Sequence, residues 1–343
     1  MGASTYLRLL TAGRWLIALG ALGAAGLVAA QAQGSASAAR SPERNVGEWL
    51  GRMQEASRQR CYVGTFVVSS NAGAMASARV WRACEPDQQV ERVETLTGAQ
   101  RSTFRRNDEV LTFLPESRVV RVEKRDAPGL FPDLLQSSDT SLPDFYNARR
   151  LGSDRVAGYD ADVVHLAPKD TLRFGYRIWS EKKSGLVVKL QTLDTDGSVL
   201  EQSAFSELQL DAPVKADKLI QLMVAPEGWR VERPEVQKTS AASEGWTMRS
   251  AVAGFKPMSC YRRPAASPAS SPGTMQWVFS DGLASVSLFV EAYDRQRHAQ
   301  EGLFASGATL TLTRRIQDWW LTAVGEVPAT TLRAFAQNLE RRR

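Results

Sequence analysis

Three cysteines and two histidines are the residues of this 343-residue chain that could supply a nucleophile and its base. A thiolate beside an imidazole can transfer acyl groups, which makes Cys260 with a histidine the pair to consider. The sequence around Cys260 carries no such enzyme signature, and the chain has no G-x-S-x-G elbow, H-E-x-x-H motif or glycine-rich phosphate loop. Paired aspartates such as Asp160 and Asp162 lie in turn-forming sequence, although a glycosidase-type carboxylate pair stays open. We therefore expect a binding protein, not an enzyme, with no cofactor and no metal site.

The other two cysteines, Cys61 and Cys84, are placed to form a disulfide. Cys61 opens one apolar run and Cys84 closes the next, and turn-forming residues at 70–74 lie between the two runs. A hairpin closed about Ala72 and Gly73 puts the two cysteines directly opposite each other, at a distance that a disulfide spans. The alternative is two small buried residues, but an oxidising compartment favours the bridge. The same register pairs Val63 with Arg82 and Phe66 with Arg79.

Residues 1–32 have the composition of a secretory signal peptide. Arg8 and Arg14 form a basic leading region, an uncharged run spans 15–30, and Ala30-Gln31-Ala32 fits a cleavage site. A second candidate site lies at residues 36–38. The uncharged run is shorter than the ~20 apolar residues of a membrane-spanning anchor, which is the alternative. We expect an exported protein located in the periplasm.

Alternating apolar residues predict strands along most of the remaining chain. An amphipathic helix is expected over 42–59, followed by the hairpin and by strand-like runs at 89–95, 101–106, 109–114 and 118–123. Over 162–210 the apolar residues recur at even positions in segments separated by turn-forming residues, as in an antiparallel meander with one apolar face. Such a face must be covered by a helix, a second sheet or a ligand.

The stretch 126–146 has no periodicity but a high apolar content, and prolines interrupt it. Irregular segments of this length inside a sheet protein are commonly lids or binding loops. One hypothesis is a lid that gates a site for an amphiphile. The alternative is a pair of short core helices that fill the concave face of the sheet. Either arrangement places these large apolar side chains against that face: Leu130, Phe131, Leu134, Leu135, Leu142, Phe145 and Tyr146.

Composition divides the chain into a signal peptide at 1–32, a large domain at 40–212, a proline-containing connector at 213–243 and a small domain at 244–343. Strand-like runs and a closing helix predict a short antiparallel sheet with a C-terminal helix for the small domain. From Ala241 onward there are twelve basic and eight acidic residues. Export, and the lack of a basic run with interleaved aromatics, argue against a nucleic-acid partner. The expected anionic partners are lipopolysaccharide phosphates or acidic peptides.

Segments in both predicted domains carry a family resemblance. In the large domain they are Glu91–Gly98, Arg105–Val110, Pro168–Asp170, Phe174–Trp179 and Asp196–Gln202, and in the small domain they are Gly254-Phe255, Phe279–Val290 and Val324–Pro328. In this order they resemble the RseB/MucB family. The resemblance implies an α+β fold. Its large domain would be a half-open antiparallel β-barrel with helices in its mouth, similar to the lipoprotein carriers LolA and LolB, and its small domain an antiparallel sheet with a helix.

The same resemblance implies a periplasmic negative regulator of an envelope-stress sigma factor. A protein of this family binds the periplasmic part of a membrane-spanning anti-sigma factor of the RseA or MucA type and shields it from the site-1 protease. Lipopolysaccharide or mislocalised lipoprotein would release it. The alternative function is a lipid or lipoprotein carrier, which the large domain alone suggests. A plain carrier has no need of the second domain, so the second domain favours the regulator. The oligomeric state stays open.

Overall fold

The structure is a computed structural model that describes residues 46–85, 88–124, 142–263 and 273–342. In these ranges the chain forms a twelve-stranded sheet, a seven-stranded sheet and a two-stranded sheet, with few helices. This is the α+β class expected from the sequence, with one large and one small sheet. The helices are α1 (Val46–Gln59), α2 (Leu142–Phe145), α3 (Ala216–Gln221) and α4 (Ala329–Asn338).

The large sheet contains the first twelve strands of the chain. They are β1 (Tyr62–Ser70), β2 (Met75–Cys84), β3 (Gln89–Thr95), β4 (Ser102–Arg106), β5 (Glu109–Leu114), β6 (Val119–Lys124), β7 (Tyr146–Val156), β8 (Tyr159–Pro168), β9 (Gly175–Glu181), β10 (Val187–Leu193), β11 (Val199–Leu210) and β12 (Arg230–Glu232). Their order is β12-β6-β5-β4-β3-β2-β1-β11-β10-β9-β8-β7. Neighbouring strands are antiparallel, except that β12 runs parallel to β6. Within the described residues the edge strands β7 and β12 do not pair with each other, so no closed barrel forms.

The remaining strands belong to the C-terminal part of the chain. They are β13 (Gln237–Lys238), β14 (Trp246–Met248), β15 (Lys256–Arg263), β16 (Thr274–Ser280), β17 (Ser285–Ala292), β18 (Gly302–Ser306), β19 (Thr309–Ile316), β20 (Trp319–Gly325) and β21 (Leu339–Arg341). Seven of them form the small antiparallel sheet in the order β13-β15-β16-β17-β20-β19-β18, and β14 pairs with β21. Helix α4 closes this core by packing Leu332 and Phe335 on the sheet, where both are fully buried. The predicted sheet with a C-terminal helix is thus present.

The single apolar face predicted for 162–210 is wrong. Val164 packs in one core cluster, whereas Val188 packs in another. A β-bulge between Val187 and Lys189 puts an extra residue into β10, and an extra residue moves the following side chains to the other face of the sheet. In addition, both faces of β8 and β9 carry buried residues.

Helix α1 covers one face of β8 and β9. Trp49, Leu50 and Met53 lie on one side of this helix and pack on those strands, and each is at most 5 % exposed. The second core cluster, the one that contains Val188, also contains Val93 of β3 and Val163 of β8. These two residues pack in one cluster although several strands separate β3 from β8 in the sheet. The large sheet must therefore curl so that these distant strands share one core.

The predicted connector packs on the large sheet. Helix α3 places Ala216 and Leu219 on Val90 of β3, and Trp229 lies 6.3 Å from the ring of Phe113. Strand β12 then joins the sheet edge. Few apolar runs mark this region in the sequence, yet several of its scattered apolar residues find partners on the large sheet, whereas Leu222 and Val224 are exposed. This segment therefore works as part of the large sheet's packing and not as a free tether.

The hairpin β1–β2 contains the predicted disulfide in a register one residue away from the expected one. Cys61 and Cys84 are bonded, with their Cα atoms 5.0 Å apart. Tyr62, and not Val63 as expected, opposes Arg82. The loop has three residues because Gly73 adopts a left-handed φ of 80°, as in a turn closed by a glycine bulge. The pairing is confirmed and the predicted register is wrong.

Candidate functional site

The large and small sheets meet around one buried arginine. The Arg173 side chain is 0 % exposed, and its Nε donates to Asp281 Oδ2 at 2.8 Å. Its other nitrogens donate to the carboxylate of Asp170 and to the carbonyl oxygen of Ala253. Arg173 and Asp170 precede β9 in the large domain, whereas Ala253 and Asp281 belong to the small domain. We call these side chains, together with Tyr146, the arginine cluster.

Aromatic rings flank the Arg173 guanidinium. Its carbon lies 4.3 Å from the ring centroid of Phe145 and 5.0 Å from that of Phe255. A flat cation over ring faces gains electrostatic attraction that strengthens when water is excluded. Gly254 makes the approach possible: its φ is +81°, and a Cβ there would overlap Arg173 and lie 2.8 Å from the Phe145 ring.

Tyr146 completes the coordination of Asp281. Its hydroxyl donates to Asp281 Oδ2 at 3.2 Å, while the N–H groups of Leu283 and Ala284 donate to Oδ1. Burial raises the pKa of Tyr146 well above its usual value, and the nearby Tyr176 and Asp281 raise it further. The hydroxyl therefore stays protonated and keeps its role as donor. A buried carboxylate with this many donors is satisfied in its charged form.

A second contact joins the start of α4 to the loop before β9. The hydroxyl of Thr331 donates to the carbonyl oxygen of Leu172 at 2.7 Å, and that of Thr330 donates to Thr171 at 3.2 Å. Thr331 is fully buried. The two hydroxyl groups thereby give hydrogen-bond partners to loop carbonyl oxygens that the junction shields from water.

The third contact is the turn between β18 and β19. Ala308 is fully buried against Phe174 and Leu200 of the large domain. Burial raises the pKa of Glu201 beside this turn, although the N–H of Ala308 partly offsets the rise. Desolvation of its carboxyl group by the surrounding protein, and then the charge of Glu201, raise the pKa of Glu326, although part of this residue is exposed to solvent. We call Glu201 and Glu326 the carboxylate pair. It places one acid of each domain in mutual repulsion.

The predicted lid residues fall into two groups. Leu142 is buried in the cluster under α1, Phe145 lies against the Arg173 guanidinium, and Tyr146 belongs to the arginine cluster. All three lie in or against the core cluster that α1 covers on β8 and β9, and the choice between a lid and a pair of core helices stays a prediction. The other four, Leu130, Phe131, Leu134 and Leu135, lie outside the described residues. Whether they gate an amphiphile site stays a prediction.

The structure does not bring Cys260 and the two histidines, the candidate catalytic residues, together at this junction. Cys260 is a free thiol buried in the core of the small sheet. His298 stacks on Trp320 and lies 3.2 Å from Glu291, and His165 is on β8 of the other sheet. Across the part of the chain that the structure describes, no group of three or more His, Cys, Asp or Glu side chains could hold a metal ion. In the same part, none of the helices combines the length and apolar character needed to cross a bilayer.

Sequence reasoning missed the charged centre of the junction. Arg173 stands in the polar stretch that follows Pro168, where an arginine normally lies in solvent. Asp281 occurs in a Ser-Asp-Gly sequence that reads as an ordinary turn, and the aspartate does accept turn N–H groups. The sequence did hold one indication of this centre. Gly254-Phe255 is one of the segments that carry the family resemblance, and in the structure it contacts Arg173 directly.

Comparison with known proteins follows the same two-part division. The MucB/RseB N-terminal domain profile matches residues 45–223, and the C-terminal domain profile matches residues 240–340. Sigma factor AlgU regulatory protein MucB of Pseudomonas aeruginosa is 29 % identical over 315 residues, which cover 86 % of this chain and 90 % of the relative. Sigma-E factor regulatory protein RseB of Escherichia coli K12 is 24 % identical over 313 residues, covering 89 % and 93 %. A solved MucA/MucB complex of Pseudomonas aeruginosa is 25 % identical with a TM-score of 0.66, covering 87 % of this chain and 99 % of that chain.

Proposed function

This chain belongs to the MucB/RseB family, and from that premise we propose that it binds the periplasmic part of a MucA- or RseA-type anti-sigma factor. By holding that segment it restrains an envelope-stress sigma factor. The observation that carries the proposal is the match of both family domains in order, over nearly the whole described chain. The solved relative was captured with MucA, its own partner.

We further propose that binding shields the anti-sigma factor from the site-1 protease. A buried ion pair and hydrogen bonds hold the two domains together, and we infer that both domains contact one extended segment of the partner. A partner that contacts both domains gains from the proximity of the second contact once the first has formed. Export to the periplasm, where such a partner is accessible, is part of this proposal, as are the domain limits 40–212, 213–243 and 244–343.

The test is proteolysis of the partner. The periplasmic segment of the anti-sigma factor from the organism that encodes this chain is incubated with its site-1 protease, with and without the purified protein. We expect cleavage to slow in proportion to the fraction of segment bound. Equal cleavage rates at saturating protein contradict the protective role.

Release by lipopolysaccharide or lipoprotein is a separate part of the proposal. An amphiphile can release the partner only if it binds the partner-free state more tightly. The curled large sheet, as a half-open barrel, and the predicted lid residues Leu130, Phe131, Leu134 and Leu135 would supply the apolar site. Added lipid A should then restore cleavage in the proteolysis assay, whereas a short-chain detergent at the same concentration should not.

The second candidate function is a lipid or lipoprotein carrier. It is favoured by the apolar cluster inside the curl of the large sheet. A carrier would bind acylated ligand and leave cleavage of the anti-sigma segment unchanged. The same assay therefore separates the two functions.

A further inference from the structure

A row of polar side chains crosses five neighbouring strands of the large sheet, from β7 to β11. Each member lies directly opposite the next in the pairing of the strands, so all five point to the same face of the sheet. The members are Arg149, His165, Arg177, Gln191 and Gln202, and we call them the polar row. Arg149 is exposed and the other four are half-buried. The row is therefore accessible to a ligand from solvent.

The polar row brings cations together without a carboxylate between them. Elsewhere in this sheet an arginine opposes a glutamate, as Arg82 opposes Glu91 in an ion pair of 3.1 Å. In the row, by contrast, His165 lies between Arg149 and Arg177. Neither of these two arginines forms an ion pair with any carboxylate of the described residues. Neighbouring groups of like charge destabilise a sheet, so the arrangement indicates a role other than folding.

The carboxylates on this face of the five strands lie beyond the polar row. Asp154 accepts the indole N–H of Trp179 at 2.8 Å and interacts with the charge of Lys189, so the nearest further cation on this face has its own partner. Glu181 accepts two backbone N–H groups of the turn after β9, and the bulge of β11 separates Glu207 from the row. The other acids of these strands point to the opposite face of the sheet: Asp160, Asp162 and Glu201.

The imidazole of the row is held in its neutral form between the two arginines. Desolvation lowers the pKa of His165, and the charges of Arg177 and Arg149 lower it further. The row therefore carries two positive charges at neutral pH, both from guanidinium groups. Since these three side chains act on each other electrostatically, they are close enough to face one ligand together.

The two glutamines hold Arg177 in place. Arginine can only donate, so the Gln191 amide presents Oε1 to Arg177 Nη1 at 3.0 Å. The Nε2 of Gln191 then donates to Gln202 Oε1 at 2.7 Å, which engages both amide oxygens of the row. Arg177 Nε has no hydrogen-bond partner in the part of the chain that the structure describes. The row thus offers N–H donors and positive charge, which together favour an anion as ligand.

We propose that Arg149, His165 and Arg177 bind a phosphate group, either free or at the end of a phosphomonoester. A phosphate monoester carries a charge of about −1.5 to −2 at pH 7, which matches the two guanidinium groups. A single carboxylate would leave one of them without a partner. Two strand spacings, about 10 Å, separate the Cα atoms of the two arginines, and their long side chains can close this gap around one group. The site is independent of the proposed binding of an anti-sigma factor.

Nuclear magnetic resonance of the two histidine rings tests the proposal on the purified protein. His165 reports on the row, and His298, the other histidine of the chain, reports on the small domain. Inorganic phosphate should raise the pKa of His165 by about one pH unit, because the bound anion offsets the two arginine charges. The signals of His298 should not change. Sodium chloride at the same ionic strength controls for screening of the arginines, and a rise that chloride reproduces in full would overturn the proposal.

A pair of variants with the same change of charge tests the assignment of residues. Arg149→Gln removes one guanidinium of the site, and the affinity for inorganic phosphate should fall about tenfold. Arg155→Gln is the matched control, because Arg155 is also exposed on β7 but points to the opposite face of the sheet. This control should bind phosphate like wild type. Equal weakening in both variants would show a nonspecific effect of net charge and would contradict the proposal.

A second probe distinguishes the two sources of phosphate. Phosphatidylcholine vesicles that contain phosphatidic acid present a phosphomonoester at a membrane surface, and vesicles of phosphatidylcholine alone are their control. Cosedimentation that the Arg149→Gln variant loses supports a lipid headgroup, whereas a response to inorganic phosphate alone supports a free phosphate ligand. If phosphate leaves the pKa of His165 unchanged and the vesicles do not bind through Arg149, the proposal is overturned. None of these measurements involves the anti-sigma partner, so the proposed function is tested separately.

Discussion

The junction between the two sheets has two unlike halves. In the arginine cluster, Asp281 faces a guanidinium and a tyrosine hydroxyl, so its buried charge is fully paired. In the carboxylate pair, Glu201 and Glu326 repel each other, and no ion pair joins either acid to a basic residue in the described chain. The first half joins the two domains through paired opposite charges. The second opposes that contact more strongly as the pH rises.

The largest effect should follow from breaking the first half. Arg173→Met leaves Asp281 buried without its cation, and removal of one partner of a buried ion pair costs about 3–5 kcal/mol. Urea unfolding followed by tryptophan fluorescence measures the loss. The matched control is Arg230→Met, because Arg230 is 72 % exposed and its pair with Glu232 should be worth less than about 1 kcal/mol. Similar losses in both variants would mean that the arginine cluster does not stabilise the junction.

A smaller loss should follow from removing one donor to Asp281. Tyr146→Phe keeps the ring and its packing but deletes the hydroxyl that donates to the carboxylate. A hydrogen bond to a charged group is worth about 1.5–3 kcal/mol, and we expect the lower end because Arg173 remains as a partner. The same unfolding experiment applies. An unchanged midpoint would show that the arginine alone satisfies Asp281.

The smallest effect, and one of opposite sign, should come from the second half. The folded-state pKa of Glu326 is raised, so the folded protein binds more protons than the unfolded one between the unfolded and folded pKa values. Stability should therefore increase as the pH falls from neutral through the folded pKa. Glu326→Gln should gain up to about 1 kcal/mol at neutral pH and flatten this dependence, because the amide carries no charge at any pH and part of the acid is exposed to solvent.

The control for this prediction is Glu116→Gln, at an exposed turn between β5 and β6. Midpoints of unfolding between pH 5 and pH 8 should change with pH equally for this variant and for wild type. If Glu326→Gln retains the full pH dependence of wild type, the carboxylate pair is not its source.

Local pattern predicted the local parts of this fold. Strands β3 and β5 begin and end at the expected residues, because alternation and flanking turns specify them directly. The bond between Cys61 and Cys84 was also predictable, since both ends of one hairpin are close in sequence. Its register was not, because one left-handed glycine, Gly73, decides between a two-residue and a three-residue loop.

What depends on contacts between distant segments was not predictable. The bulge in β10 moves the following side chains to the other face of the sheet, and no sequence signal marks it. Strand β18 lacks the apolar–polar alternation that marks a strand. The burial of Arg173 follows from an aspartate more than one hundred positions away. The family resemblance supplied what local pattern could not, namely the family to which both domains belong.

Burial of Cys260 also affects how the chain matures. A third cysteine can attack a native disulfide, but only as the thiolate. Desolvation in the small-sheet core raises the pKa of Cys260 to about 11, so that at neutral pH about one thiol in ten thousand is ionised. Once its core has formed, the small domain therefore withdraws its cysteine from exchange. A bond between Cys61 and Cys84 is then protected from attack by the third cysteine of the chain.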